Sequence, residues 1–139
     1  MTLAELNSGT REQFVEALGE VFEHSPWVAG RVWGQRPFQS FDDLSTRLIR
    51  AVQAATGDEQ LALLQAYPGP AEDDELRRLG EEYRKKFGFP FLHAVKGGDK
   101  ASTIEALKRR LKSASEQEFQ VALGHVFRMA RFRLEDIIR

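Results

Sequence analysis

The sequence predicts an all-α protein, a compact bundle of about six to eight helices in a single domain over residues 1–139. Three observations predict it. Apolar residues recur with helical spacing along most of the chain, as at Phe14, Leu18 and Phe22. Prolines and glycines fall between these stretches, where they end helices. The chain has 139 residues, 42% of them apolar, which is enough to bury one core.

Two helices are expected before residue 37. The first follows a capping box at 10–13, in which the threonine side chain and the fourth residue satisfy free backbone N–H groups. Pro26 restarts the chain, and a short helix is expected over 27–33. Gly34 and Pro37 end that helix, because neither residue favours its continuation.

A third and a fourth helix are expected between residues 40 and 70. Ser40 caps the third, and Gly57 marks its end. The apolar face of this third helix consists of Leu44, Leu48, Ile49 and Val52. The fourth helix runs over about 59–66 and ends at Tyr67-Pro68-Gly69-Pro70, since two prolines and a glycine cannot continue a helix.

Three further helices are expected in the second half. The fifth covers about 72–86, with Leu76, Leu79 and Tyr83 facing inward. After a loop at 97–99, a capping box at 102–105 starts the next helix, whose inward residues are Ile104, Leu107 and Leu111. The last and longest helix is capped at 115–118. Its apolar stripe consists of Phe119, Leu123, Val126, Phe127, Ala130, Leu134 and Ile137.

The segment Phe87-Gly88-Phe89-Pro90-Phe91, called the aromatic segment below, is unusual for a connection between helices. Gly88 permits a positive φ, while Pro90 fixes its own φ and disfavours helix at Phe89. The chain is therefore expected to leave its helix here and continue extended with buried rings. Two interpretations fit: a buried connector, or the wall of a pocket whose backbone N–H groups face a ligand.

Composition excludes several classes of function. A net charge of −1 gives no general attraction to nucleic acid or to anionic membranes. The absence of cysteine excludes disulfides and thiolate metal sites. We find no phosphate-binding glycine loop, no histidine spacing typical of a metal site, and no apolar run of roughly 20 residues. Residues 1–5 lack the features of a signal peptide. We therefore expect a cytoplasmic protein without metal, nucleic-acid or membrane partners.

Few side chains are candidates for chemistry. His24 is expected at the surface of a helix end, His125 at the edge of the apolar stripe, and His93 toward solvent. The basic run 108–112 is interpreted as a solvated helix end, where cations complement the helix dipole. Arg133 lies near the core boundary, so its guanidinium needs a carboxylate. A neighbouring helix or a ligand would supply it.

Four stretches carry a resemblance to a known family: Phe22–Ala29, Arg36–Phe38, Tyr83–Lys96 and Ala122–Ile138. The most specific block runs from the aromatic segment to Val95-Lys96-Gly97. In these stretches and in their order, the chain resembles the OHCU decarboxylases, which are the 2-oxo-4-hydroxy-4-carboxy-5-ureidoimidazoline decarboxylases of urate breakdown.

The resemblance implies an all-α, homodimeric enzyme that needs no cofactor and acts on a small ureidoimidazoline. Such an enzyme removes CO2 and reprotonates the resulting carbanion on one face, giving (S)-allantoin. In the family, a His-Pro motif and a later Ser-x-x-Glu-Gln motif supply catalytic groups. An aromatic segment lines the cavity, and an arginine of the last helix anchors the site.

Carried over to this sequence, the resemblance is incomplete. The substrate-binding residues would be Pro68, Phe87, Gly88, Phe89, Pro90 and Phe91. Arg133 matches the family arginine. Tyr67 stands where the family has its histidine, and the chain continues from Pro70 into an acidic stretch, 71–75, without a Ser-x-x-Glu-Gln motif. An acidic residue of 72–75 is a candidate replacement for the missing glutamate, although carboxylates also cap helices at such positions.

Three functions follow from this pattern. The first is OHCU decarboxylation at an altered site that uses Tyr67 and Arg133. The second is an inactive relative that binds a small anion or a partner protein. The third is a dimerisation module that works beside urate oxidase. Tyrosine titrates near pH 10, far from the neutral pH where histidine exchanges protons, so the first function requires different acid–base chemistry at Tyr67.

Overall fold

The computed structural model describes residues 1–95 and 99–139. In these ranges the chain forms helices and no strand, which confirms the predicted all-α class. The helices are α1 Leu3–Ser8, α2 Arg11–Leu18, α3 Trp27–Val32, α4 Phe41–Gln53, α5 Gly57–Gln65, α6 Asp74–Phe87, α7 Lys100–Arg110 and α8 Ser115–Ile137, with a 3₁₀ turn at Trp33–Gln35. Among the described helices, none combines the length and the apolar character that crossing a membrane requires.

The chain divides into two compact units. The first comprises Met1–Leu63 and Met129–Arg139, and the second comprises Leu64–Arg128. The first unit buries side chains from the predicted apolar faces, namely Phe14, Leu18, Phe22, Leu44, Leu48, Val52 and Leu134, together with Val28 and Val32 of α3. The second unit buries Leu64, Leu76, Leu79, Tyr83, Phe89, Phe91, Leu107, Leu123 and Val126.

Several helix starts are confirmed. Thr10 accepts a hydrogen bond from the Gln13 N–H, and the Gln13 side chain accepts one from the Thr10 N–H, so the predicted capping box is present. Ser40 caps α4 by accepting from the Asp43 N–H at 3.0 Å. Helix α1 was not predicted, because six residues are too few to show helical periodicity. It is capped by Thr2, which accepts from the Glu5 N–H.

Two predicted helix caps differ in the structure. The capping box at 102–105 is wrong: the Asp99 carboxylate accepts the Ser102 N–H at 2.7 Å and starts α7 at Lys100, three residues earlier. Helix α8 does begin at Ser115, but Glu118 is 1% exposed and its side chain bonds into the core instead of capping the helix. Of the expected loop 97–99, only Asp99 lies within the described residues.

Candidate functional site

The aromatic segment leaves α6 as its composition predicts. Gly88 takes a left-handed conformation, with φ at 85°, and its N–H donates to the Arg84 carbonyl at 2.8 Å, which ends the helix. The Gly88 carbonyl accepts a hydrogen bond from the Gln65 side chain at 2.9 Å. Beyond it the chain is not helical, and Phe89 and Phe91 are buried. The backbone conformation of Gly88 therefore fixes the turn that ends α6. The buried rings of Phe89 and Phe91 fix the chain after that turn.

Tyr83 is the centre of the aromatic packing. Its ring lies 4.6 Å from that of Phe87, 5.9 Å from that of Phe89 and 5.3 Å from that of Phe91, measured between centroids. The last two pairs meet edge to face, an arrangement that aromatic quadrupoles favour. Phe119 of α8 packs on Phe89 in the same way, at 5.9 Å. These contacts connect the aromatic segment to α6 and to the start of α8.

A buried group of three polar side chains lies beside these rings. The Tyr83 hydroxyl and Arg110 Nε both donate to Glu118 Oε1, each at 2.5 Å. Arg110 also donates to the Leu92 carbonyl at 2.6 Å, and its guanidinium carbon lies 4.5 Å from the centre of the Phe91 ring. We call Tyr83, Arg110 and Glu118 the buried polar cluster. Through Leu92 and Phe91, it fixes the chain just after the aromatic segment.

The buried polar cluster corrects the interpretation of the basic run 108–112. Arg110 is not a solvated helix end, since its side chain is 8% exposed. It shares a face of α7 with Ala106 and Leu107, which are buried. Burial, followed by the hydrogen bond to Glu118, raises the pKa of Tyr83, so the phenol keeps its proton and acts as a donor.

Helical spacing contained a signal for Glu118 that the sequence analysis missed. Glu118 precedes Ala122, Val126 and Ala130 at steps of four residues, and those three are buried. A carboxylate on that face must find a buried partner. Its second oxygen, Oε2, has no hydrogen-bond partner among the described residues.

His93 and His125 lie together, with ring centroids 5.6 Å apart. His93 stacks on Phe91 and is partly buried, so the expectation that it faces solvent is wrong. His125 Nδ1 accepts the Ala94 N–H at 3.1 Å, which leaves Nε2 to carry the proton of the neutral ring. Burial, followed by the charge of Arg110, lowers the pKa of His93 and lowers that of His125 to about 4. Both rings are therefore neutral at pH 7.

Tyr67 lies at the end of α5, where its N–H donates to the Leu64 carbonyl at 3.3 Å, and it is 3% exposed. The next residue, Pro68, is exposed. On either side of this pair the chain contacts the aromatic segment: Gln65 bonds the Gly88 carbonyl, and a Cβ built on Gly69 would lie 3.8 Å from Pro90. The structure thus brings the Tyr67-Pro68 position beside the aromatic segment.

The acidic stretch after Pro70 has structural partners. Asp73 caps α6 by accepting the Leu76 N–H at 2.8 Å and pairs with Lys100 at 2.7 Å. The N–H bond and then the lysine lower the pKa of Asp73, so it stays ionised. Among the candidates for a replacement glutamate, Asp73 is therefore already used by the fold.

Arg133 lies in the first unit, where its NH2 donates to Glu23 Oε2 at 2.5 Å and its NH1 to the Glu20 carbonyl at 2.9 Å. Of the two carboxylate sources considered for it, the protein supplies one, from the turn that follows α2. His24 is exposed there, as expected, with φ at 47°. Glu20, Glu23 and His24 form the one group in the described chain with metal-ligand spacing, and Glu23 in it already holds Arg133.

Comparisons with known proteins agree with the resemblance to the OHCU decarboxylases. A family model described as OHCU decarboxylase matches residues 7–73 and 69–135. A 2-oxo-4-hydroxy-4-carboxy-5-ureidoimidazoline decarboxylase of Halalkalicoccus jeotgali is 35% identical, with 99% of this chain and 92% of the relative covered. A uric acid degradation bifunctional protein of Bacillus subtilis is 38% identical over 99% of this chain and 33% of its own length.

A solved structure is also similar. The crystal structure of (S)-allantoin synthase superposes with a TM-score of 0.91 at 32% identity, and the match covers 99% of this chain and 54% of that one. The fold is therefore shared over nearly all of the present chain, and the solved protein has a further part that this chain does not match.

The same comparisons show that the chain is shorter than a relative over the aligned region. The alignment with the Halalkalicoccus relative runs over 161 positions, more than the 139 residues present here, so that relative has residues opposite gaps. The two stretches matched by the family model meet at residues 69–73. At that place the sequence has no counterpart of the family's Ser-x-x-Glu-Gln motif.

Proposed function

Because the chain belongs to the OHCU decarboxylase family, we propose that it converts 2-oxo-4-hydroxy-4-carboxy-5-ureidoimidazoline to (S)-allantoin and CO2 without a cofactor. The observation that carries the proposal is similarity over nearly the whole chain to decarboxylases of this name. From the same resemblance we propose that residues 1–139 form one domain, that the protein is a homodimer and that it is located in the cytoplasm.

In this proposal the aromatic segment is the apolar wall of the substrate site. Loss of CO2 turns a carboxylate into a neutral molecule and moves the bonding electron pair onto the ring, where one proton must be added. An apolar wall that excludes water favours the loss of the charged carboxylate and prevents protonation from both faces. The burial of Phe89 and Phe91, and the hydrogen bond from Gln65 that holds Gly88, support this role.

Tyr67 is the proposed proton donor. A phenol is protonated at neutral pH, so it can deliver a proton to the carbanion and then regain one from water. The buried position of Tyr67, between residues that contact the aromatic segment, supports this assignment. The ordinary pKa of a tyrosine is near 10, so a tyrosine exchanges protons less readily at neutral pH than a histidine does. We therefore expect slower turnover than a histidine would give. Arg133 keeps its proposed anchoring role on the family resemblance alone.

The test is a stereochemical assay on freshly generated substrate, which also decays spontaneously. The wild-type chain is expected to form allantoin faster than spontaneous decay and with an excess of the (S) form, measured by circular dichroism. Tyr67→Phe should lose most of that excess, and Tyr67→His should raise the rate about tenfold or more. Melting temperatures of the three proteins control for folding. A racemic product formed at the spontaneous rate by the wild-type chain would exclude the decarboxylase proposal.

The difference in length favours one alternative, an inactive relative that binds a small anion. The family model match is divided at residues 69–73, and Asp73 is engaged with Lys100 and a helix N-terminus. For this alternative, (S)-allantoin or a carboxylated analogue should raise the melting temperature although no turnover is seen, because a ligand that binds only the folded state stabilises it.

A further inference from the structure

A cleft of about 200 Å³ lies within the second unit beside the aromatic segment. It is bounded by the connection after Tyr67, by one face of α6 and by Pro90. Its principal lining residues are Gly69, Pro70, Arg77, Gly80, Arg84 and Pro90. Pockets for drug-sized ligands have volumes of about 300–1,000 Å³, so this one fits a smaller, monocyclic molecule.

Helical geometry explains the shape of the cleft. Arg77, Gly80, Glu81 and Arg84 are spaced at i, i+3, i+4 and i+7 and therefore share one face of α6. The two arginines stand roughly 10 Å apart along the axis, with a residue lacking a side chain between them. Pro70 packs against that residue: a Cβ at Gly80 would lie 3.0 Å from Pro70 Cγ. The connection after Tyr67 can approach α6 closely for this reason.

The two arginines of the cleft differ in their partners. Arg77 donates to Asp74 Oδ1 at 3.0 Å and is thus neutralised within its own helix. The side chain of Arg84 is exposed and forms neither a hydrogen bond nor an ion pair with any residue in 1–95 or 99–139. Glu81 lies three residues earlier on the same face, yet no ion pair joins the two. Arg84 is therefore a guanidinium at the edge of a cleft with all five of its donors available.

We propose that Arg84 binds the carboxylate of a small monocyclic acid in this cleft. A guanidinium presents two parallel N–H groups to a carboxylate, an arrangement that a single ammonium cannot reproduce. The inference rests on the proposed function in one respect: the ureidoimidazoline is such an acid, and the cleft borders the aromatic segment and the connection after Tyr67. Arg84 then binds the substrate anion directly and leaves the proton transfer to other groups.

The test uses two probes of equal size, imidazole-4-carboxylate and imidazole-4-carboxamide, titrated against the full chain by amide NMR. We expect the carboxylate to shift the Gly69 and Gly80 signals and the carboxamide to bind at least about tenfold more weakly. Arg84→Gln should remove this preference, and Arg84→Lys should retain only part of it, because the paired contact is lost. Equal binding of the two probes, or no binding of the carboxylate to the wild-type chain, overturns the inference.

Arg78→Gln is the matched control. It makes the same change of charge in the same helix, but Arg78 is absent from the cleft and pairs with Glu82. It should bind the carboxylate as the wild-type chain does. Equal loss in Arg78→Gln and Arg84→Gln would show a general charge effect and would also overturn the inference.

Kinetics separate this inference from the decarboxylase proposal. If the chain is active, Arg84→Gln should raise KM about tenfold without lowering kcat, since the carboxylate that Arg84 binds is the group lost as CO2 and its contact weakens as the reaction proceeds. Activity with an unchanged KM would contradict the role of Arg84 and leave the decarboxylase proposal intact. Binding of the carboxylate through Arg84 without turnover would support the role of Arg84 and contradict the decarboxylase proposal.

Discussion

Arg110 and Arg84, two arginines of the second unit, have opposite environments. The Arg110 side chain is 8% exposed and has a carboxylate, a backbone carbonyl and an aromatic face around it. Arg84 is exposed and has none of these partners in the described chain. Both arginines belong to amphipathic helices, and both lie near the aromatic segment. Arg110 contacts the ring of Phe91, and Arg84 lines a cleft with Pro90.

The difference shows that burial decides whether an arginine is paired within the fold or remains available to a ligand. A buried guanidinium without a carboxylate would cost several kcal/mol, so the fold supplies Glu118 and the Leu92 carbonyl. An exposed guanidinium is solvated by water at no such cost and stays available for a ligand. Arg110 is thus explained by the chain itself, whereas the environment of Arg84 leaves room for a bound acid.

The largest effect is expected when Arg110 is removed. Arg110→Met leaves the Glu118 carboxylate buried with only the Tyr83 hydroxyl, and breaking a buried ion pair in this way costs about 3–5 kcal/mol. Urea denaturation should show this loss as a lower midpoint with an unchanged m-value. Arg84→Met, on the exposed side of the comparison, should change the free energy of unfolding by no more than about 0.5 kcal/mol.

A double variant tests whether the cost comes from the unpaired charge. In Arg110→Met/Glu118→Leu both charges are gone, and replacement of a buried pair by apolar side chains is often neutral or stabilising. The double variant should therefore be more stable than Arg110→Met alone. If the double variant is as destabilised as Arg110→Met, the buried polar cluster stabilises the chain through its packing. Arg110 and Arg84 would then differ in how their side chains pack, not in how their charges are paired.

A smaller effect is expected at Gly80, which forms the close contact beside the cleft. Alanine at this position gains about 1 kcal/mol in helix propensity, but its Cβ would lie 3.0 Å and 3.3 Å from two atoms of the Pro70 ring. We expect the overpacking to outweigh the gain, so that Gly80→Ala destabilises the chain by about 1 kcal/mol. Displacement of Pro70 should also weaken the binding of imidazole-4-carboxylate by Arg84, measured by the same NMR titration.

Gly124→Ala is the matched control, because Gly124 is also inside a helix and a Cβ there would have no atom within 4 Å. It should gain the helix propensity alone and stabilise the chain by about 1 kcal/mol. The two variants should therefore differ by about 2 kcal/mol in the free energy of unfolding. Equal stabilisation by both would mean that Pro70 yields freely, and the cleft would then have no fixed wall on that side.

The sequence was sufficient for most of the fold, for identifiable reasons. Amphipathic spacing and the break at 67–70 located α5 and α6 to within two residues, and Ser40 located the start of α4, which ends at Gln53, before the predicted break at Gly57. Helix α1 was not predicted because it is too short for helical periodicity to be visible. Asp99 was overlooked as a cap because serine and threonine three residues later offered an equally plausible start. The prediction of one domain over residues 1–139 remains a prediction.

The site was less predictable, because its contacts depend on tertiary packing. The aromatic segment and the left-handed Gly88 could be read from composition. Helical spacing indicated that Glu118 lies on a buried face, but its pairing with Arg110 could not be predicted, since Arg110 also fits an ordinary helix end. The cleft beside Arg84 required the contact of Pro70 with Gly80, which connects residues ten positions apart through close packing.

The last prediction concerns pH and the buried side of the comparison. Burial and the charge of Arg110 lower the pKa of His125 from 6.5 to about 4 in the folded chain. The unfolded chain therefore binds more protons between these values, and stability is fully present above pH 6.5 and falls as the pH drops toward 4. Between pH 7 and pH 5.5 the loss due to His125 should be about 1 kcal/mol, measured by urea denaturation at each pH.

His125→Asn isolates this contribution, because an asparagine oxygen can accept the Ala94 N–H as Nδ1 does, yet it does not titrate. The free energy of unfolding of this variant should fall less between pH 7 and pH 5.5 than that of the wild type. The remaining slope should include His93, whose pKa is lowered for the same reasons. Arg84→Gln should leave the slope unchanged, since Arg84 is not among the charges that act on either ring. An equal slope in wild type and His125→Asn would mean that protonated His125 is accommodated beside Arg110, and the environment of Arg110 would then be more open to water than its contacts indicate.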